Sequence, residues 1–281
     1  MMTNRAASIR ARLKQHSDAT RQDFNLTLTY YGLERLLYRL SISEHRQNFL
    51  LKGALLFVLW YDVPQRPTRD ADLLGFGPDD IDIVENVFRS LSEIVVDDGI
   101  EFDRRSVKGI EIRKEAGYGG VRIDMAARLD GARIALQIDV GFGDAVTPGP
   151  ELVCYPTLLP DLPAPNLSAY PKYTVVAEKF QAICVLGMTN SRMKDYFDLW
   201  ILLRDGDLDP VMLRHAIEAT LMRRQTQPLT GVPAGLTAEF AAEVGKQTQW
   251  RAFLKKNKLE PIAFGEVIQM LRQAFQRIGA C

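Results

Sequence analysis

Residues 51–74 read LKGALLFVLWYDVPQRPTRDADLL, and the end of this stretch decides how the rest of the chain is arranged. Asp70 and Asp72 flank Ala71. In a strand, residues two apart point to one face. The two carboxylates then project together, while Ala71 and Leu73 face a buried side. Carboxylates held side by side repel each other unless a cation lies between them. Hard divalent cations such as magnesium take oxygen ligands, from one or two carboxylates plus substrate phosphates. The pattern suggests a magnesium–nucleotide site at the edge of a sheet. Taken alone, it also describes an Asp-x-Asp on a surface turn, because motifs this short match by chance.

Upstream of the pair, Pro64 and Pro67 mark a turn that cannot be helical. Residues 55–60 form a buried element, and Gly53 stands where the backbone comes close to something else. Residues 4–42 read as helix. Ala6, Ile9 and Leu13 recur at helical spacing, and Leu33, Leu36, Leu37 and Leu40 form one stripe with Glu34, Arg35 and Arg39 off it. Ser43 is placed to cap a further helix that runs toward Lys52.

Downstream, Pro78 and Asp79 open a helix carrying Ile83, Val87, Phe88 and Leu91. The period then changes to two. Residues 106–114, 121–129 and 133–140 read as strands of an antiparallel meander, separated by turns at Gly117–Gly120 and at Asp130-Gly131, the latter a strong hairpin signal. The last strand holds Asp139 between Ile138 and Val140. If it lies beside the strand of Asp70, Asp139 completes a carboxylate trio. Residues 151–172 belong to a proline-rich stretch, seven prolines from Pro148 to Pro171, read as a crossover with little regular structure. From residue 175 the chain is helical to its end. These readings predict an α+β chain with a mixed or antiparallel sheet flanked by helices over 1–150, a crossover over 151–172, and a helical domain over 173–281.

Composition narrows the classes. Lys and Arg together number 35, as do Asp and Glu, so net charge is zero and any nucleic-acid contact must come from a local patch. Three widely spaced cysteines form no disulfide framework or metal pattern, which is simplest in a reducing cytoplasm. The longest apolar run is too short to span a membrane. The N-terminus lacks the apolar core of a secretory signal.

Five motifs in order, LKGALLF, RPTRDADLLG, IDVGFGD, AEKFQAI and RMKDYFDLW, together with the QW…FL stretch at 249–254, resemble the AbiEii/AbiGii toxin family. That family sits within the polymerase-β-type nucleotidyltransferase superfamily. The likeness covers roughly residues 30–275. It implies the toxin half of a bacterial toxin–antitoxin or abortive-infection system, with an N-terminal nucleotidyltransferase domain and a C-terminal helical domain. It also implies a cognate antitoxin, an NTP substrate, two Mg2+ ions and an RNA acceptor, because some relatives, the MenA–MenT systems, add nucleotides to the tRNA acceptor end. Residue by residue, Gly53 matches the nucleotide-cradling glycine. Asp70 and Asp72 match the metal pair, and Asp139 the third carboxylate. Lys179 matches a lysine expected to contact triphosphate, and Asp195 and Asp198 fall in a KDxxDL-like motif of which one member is expected to be essential. Where the superfamily has Gly-Ser or Gly-Gly, this chain has Gly53-Ala54, which leaves phosphate contacts to backbone N–H groups and to Lys52, Arg66 or Arg69.

Other readings of the same residues stand beside these. Asp195 and Asp198 are neighbours on one helix face and could orient Lys179 across a helical hairpin, or Asp198 could pair with Lys194 on a solvated face. Arg223, Arg224, Lys246, Arg251, Lys255, Lys256 and Lys258, with Trp250 among them, could track a phosphate backbone. Trp250 also fits as a core anchor with Phe253 and Leu254. The alternatives to RNA transfer are an NTP- or partner-binding module of the same fold and a transferase acting on protein hydroxyls.

Overall fold

The structure, a computed structural model, describes residues 2–61, 65–113, 119–227 and 231–281. Pro64, Gly117 and the end of the strand expected over 106–114 fall outside them. The chain forms two compact units, one of residues 1–143 and 151–169, the other of 144–150 and 170–281.

The first unit begins with helices α1 (Met2–Thr20) and α2 (Phe24–Ile42), followed by strand β1 (Phe49–Lys52). A single turn at Gly53–Leu55 leads into the short helix α3 (Leu56–Tyr61), then strand β2 (Asp70–Gly75) and helix α4 (Ile81–Glu93). The Asp23 carboxylate caps α2 and that of Asp80 caps α4, each accepting an N–H the helix start leaves unpaired. Strands β3 (Ile100–Arg113), β4 (Gly119–Leu129) and β5 (Ala132–Phe142) follow as the expected meander. Asp130 and Gly131, both at positive φ, make the β4–β5 turn, as a type I′ hairpin requires. Strands β6 (Glu151–Cys154) and β7 (Asn166–Ala169) complete one mixed sheet in the order β3-β4-β5-β2-β1-β7-β6. The α+β class and the mixed sheet are as the sequence predicts.

Two segments differ from expectation. The segment 49–52 is a strand, not the end of a helix. Phe49, Leu50, Leu51 and Lys52 are all buried between β2 and β7, and four apolar-rich residues carry no period that separates strand from helix. The proline-rich stretch 151–172 is not a structureless crossover. It supplies β6 and β7 at the sheet's border, where prolines beside short edge strands are tolerated, and residues 151–169 belong to the first unit.

Alternation along β2 turns Ala71 and Leu73 into the core, where they meet Leu33, Leu36, Leu37 and Leu40 of α2 and Phe88 and Leu91 of α4. Each such leucine or phenylalanine side chain contributes about 1.5–3 kcal/mol on burial. Asp70 and Asp72 thereby face the other side. The second side of α2 is also covered: Glu34, Arg35 and Arg39, expected off the stripe, are 3 %, 0 % and 2 % exposed. Arg39 donates to both Asp98 oxygens at 2.7 and 3.1 Å, and the Leu158 N–H donates to Glu34 at 2.6 Å.

Burial pushes the Glu34 carboxyl up to about 7, against the pull of Arg35 and the Leu158 N–H. A folded value above the unfolded one favours folding at low pH, and that contribution is lost as pH rises through 7. Glu34→Gln is therefore expected to gain on the wild type between pH 5 and pH 8, by on the order of 1–2 kcal/mol. Urea midpoints at the two pH values check this; an unchanged difference between the proteins contradicts it.

The second unit holds helices α5 (Lys172–Leu186), α6 (Met193–Arg204), α7 (Pro210–Arg223), α8 (Ala238–Ala242), α9 (Val244–Lys256) and α10 (Phe264–Arg277). Its core is aromatic. Trp250 stacks on Phe264 at 5.0 Å, Tyr196 meets Phe240 and Phe264, and Phe180 packs on Phe275 at 4.1 Å.

Candidate active site

In the first unit, β2 runs parallel to β5, with Asp72 opposite Asp139 and Asp70 opposite Gln137. Strand β1 runs antiparallel to β2 and sets Lys52 opposite Asp72, while β4 sets Arg122 opposite Asp139. Side chains of directly opposed residues share a face. Lys52, Asp72, Asp139 and Arg122 therefore form one row across adjacent strands roughly 4.8 Å apart. The sequence-predicted trio is thus brought onto one face.

Gly53 follows Lys52 at φ +76°, a left-handed conformation that suits glycine. A Cβ at this position would lie 2.0 Å from Asp72 Oδ2. The missing side chain is what lets the Asp72 carboxylate lie against the backbone. Asp70 accepts a hydrogen bond from the Thr68 hydroxyl, and the Thr68 N–H donates to the Tyr30 hydroxyl at 3.0 Å. Burial raises the Tyr30 phenol, with Arg66 and Arg69 among the groups acting on it. Both arginines therefore stand near the start of β2.

Arg122 is the residue that sequence reasoning missed. Its Nε and Nη2 donate to the two Asp139 oxygens, each at 2.8 Å. The hydrogen bond to Asp139, followed by the charges of Asp139, Asp124 and Asp70, holds the guanidinium above its ordinary value. The signal was available: counting outward from the two-residue turn at Asp130-Gly131 pairs Arg122 with Asp139. Among the described residues, no three Asp, Glu, His or Cys side chains converge as a metal-binding group. Asp70 and Asp72 fit a hard cation by donor chemistry, and the absent side chain of Gly53 lets the Asp72 carboxylate sit against the backbone of that turn. Asp139 offers the same chemistry with both oxygens already engaged by Arg122.

In the second unit, Lys179 of α5 lies 2.8 Å from Asp195 and 2.8 Å from Asp198, both on α6. Asp195 and Asp198 are fully buried, so the solvated face is excluded and the helical hairpin holds Lys179. Burial pushes the Asp195 carboxyl up, but Lys179 and Arg192 pull harder and leave it below its ordinary value.

Residues 35–277 match the family of nucleotidyl transferase AbiEii toxins of type IV toxin–antitoxin systems. The chain belongs to that family. No curated protein matches the chain. Two solved Helicobacter pylori structures are similar to this AbiEii chain. JHP933 is 14 % identical with a TM-score of 0.49, the likeness covering 87 % of each chain. The other, described as a candidate nucleotidyltransferase, is 14 % identical with a TM-score of 0.47, over 87 % of this chain and 90 % of that one.

Two basic residues of this AbiEii chain that could have tracked nucleic acid, and the tryptophan among them, have structural partners instead. Arg224 is bound by Asp144 at 2.8 Å, Glu178 at 3.2 Å and Gln181 at 3.0 Å. Lys246 is 7 % exposed and donates to the Asn190 carbonyl at 2.9 Å. Trp250 is the core anchor, 1 % exposed, its indole N–H donating to the Ile262 carbonyl at 2.8 Å. Arg223, Arg251, Lys255, Lys256 and Lys258 remain exposed.

Proposed function

We propose that this AbiEii chain transfers an NMP from an NTP to an RNA hydroxyl, with the tRNA acceptor end as the first acceptor to test. The observation that carries the reading is the row Lys52, Asp72, Asp139 with Gly53 cradling the Asp72 carboxylate. The acceptor oxygen bonds to the α-phosphorus, the bond from that phosphorus to its bridging oxygen breaks, and pyrophosphate leaves. Two Mg2+ ions, when bound, would stabilise the attacking and leaving oxygens. Asp70 and Asp72 would hold them, joined by Asp139, whose carboxylate can also take the hydroxyl proton. Lys52, Arg66, Arg69 and the backbone at Gly53 are the groups for phosphate, and Lys179, paired with Asp195 and Asp198, is the further lysine that the family resemblance assigns to the triphosphate. A cognate antitoxin is the expected partner, in line with the type IV toxin family. The proposed location is cytoplasmic. Among the described residues no helix is long and apolar enough to cross a membrane.

The test is label transfer. The protein is incubated with Mg2+, each α-labelled NTP in turn and total bacterial tRNA, beside Asp72→Ala and Lys179→Ala. We expect label on RNA, reduced at least about 100-fold in either variant, the scale for losing a group that stabilises developing charge. Label on protein moves the acceptor class to polypeptides. NTP binding without transfer to either acceptor overturns the enzyme reading and leaves a binding module.

A further inference from the structure

The row across the sheet runs Lys52, Asp72, Asp139, Arg122, two acids enclosed by two bases. The outer base is bound to the very carboxylate that completes the trio. Arg122 uses both Asp139 oxygens at 2.8 Å, in the fork geometry that makes such pairs strong. A divalent ion on that carboxylate would face the guanidinium as a like charge at short range, with Asp139 only 14 % exposed. Arg122 has somewhere else to go. Its side chain is 33 % exposed, and Asp124, exposed, stands two residues along the same strand and so on the same face.

We propose that Arg122 is the resident counter-cation of the site: it occupies Asp139 until a divalent ion is bound, and ion binding opens the Arg122–Asp139 pair toward Asp124. Arg122 is a positioning residue in this scheme. In the ion-free protein it neutralises a carboxylate that would otherwise repel Asp72 across the strand pair. An ion that takes Asp139 as a ligand must first displace Arg122, so the site responds to divalent cation less tightly than its carboxylates alone would allow. The inference rests on the carboxylates being the ion-binding groups of the transferase reading above.

Direct Mn2+ binding, followed by loss of the free-ion electron paramagnetic resonance signal, tests this without reference to turnover. Wild type, Arg122→Gln, Arg122→Lys, Asp139→Asn and Asp72→Asn are compared, with thermal melts as a check on folding. Arg122→Gln is expected to bind Mn2+ about tenfold more tightly, the order by which groups bonded to metal ligands shift affinity. Arg122→Lys, which cannot hold both oxygens at once, should fall between, and it carries the test if the glutamine variant does not fold. With Asp139→Asn present, the Arg122 substitution should have no further effect. Unchanged or weaker binding in the Arg122 variants, with binding still lost in Asp72→Asn, overturns the exchange and leaves the transferase reading intact. Absence of Mn2+ binding sensitive to Asp72 in both wild type and Arg122→Gln removes the ion site itself, and both readings fall. Binding that emerges only in Arg122→Gln supports the exchange in its strongest form.

Discussion

A Gly53→Ala variant is expected to lose transfer by about 100-fold or more while keeping its secondary structure, because a misplacement near 1 Å costs that much in an aligned reaction. The added methyl group meets Asp72 Oδ2 at 2.0 Å and Asp72 Cβ and Cγ at 2.7 Å. Asp72 Oδ2 and Cγ can swing aside with the side chain, whereas Cβ moves only with the strand. Asp72 is fixed by strand pairing on both sides, to Lys52 and to Asp139, so the carboxylate must rotate away or β1 and β2 must part. Alanine also resists φ +76°, where a side chain costs roughly 1–2 kcal/mol. The melting temperature should fall with it, by about 2–4 °C for each kcal/mol in a unit of this size. The two costs separate in a double variant. Asp72→Gly removes all three atoms that the methyl group strikes, so Gly53→Ala should destabilise that background much less than the wild type, a coupling that a double-mutant cycle reads directly. A Gly53→Ala protein with wild-type transfer, or equal destabilisation in both backgrounds, would show that the approach of Asp72 to the backbone is not what the glycine serves.

The same region shows where the sequence could be read and where it could not. Asp70 and Asp72 were legible because period two is a local property: Ala71 and Leu73 had to be the buried partners, and they are 2 % and 1 % exposed. Asp139 was legible through the Asp-Gly turn, which fixes the meander, but its place beside β2 is a non-local pairing that no local pattern contains. Arg122 lay within reach of the same counting, yet an arginine on a half-exposed strand looks like any solvated charge until its partner is known. The misread elements share this cause. Phe49, Leu50 and Leu51 are apolar without alternation because both faces of this strand are buried. Glu34 is buried by Leu158, 124 residues away, and Lys246 by Asn190, 56 residues away. Charge at helical spacing predicts a wet face only where nothing distant covers it.

Asp195→Asn should destabilise the second unit by about 3–5 kcal/mol at pH 7, the cost of removing one partner from a buried ionic group. The Asp195 side chain is 1 % exposed and lies 2.8 Å from Lys179 through Oδ1. Arg192 Nε lies 2.6 Å from Oδ2 but off the line of a hydrogen bond, so that contact is Coulombic. With Asp195 neutral, Lys179 keeps only Asp198 and two positive charges face one negative. The pH dependence has a definite sign. Because Asp195 titrates below its ordinary value, its contribution is present above the unfolded value near 3.9 and is lost as pH falls through the folded one. The gap between wild type and Asp195→Asn should therefore shrink below pH 4, and urea unfolding at pH 7 and at lower pH checks it; a gap under about 1 kcal/mol, or one that ignores pH, would show that the network holds little of the fold. The same network decides how a dead Lys179 variant must be understood. Removing the lysine leaves Asp195 and Asp198 repelling each other in the interior, so lost activity could be lost structure. Lys179→Gln combined with Asp198→Asn removes that repulsion, while Asp195 keeps Arg192. The combined variant should regain stability relative to Lys179→Gln alone and still fail to transfer. Recovery of transfer along with stability would assign Lys179 to the fold and not to the phosphates.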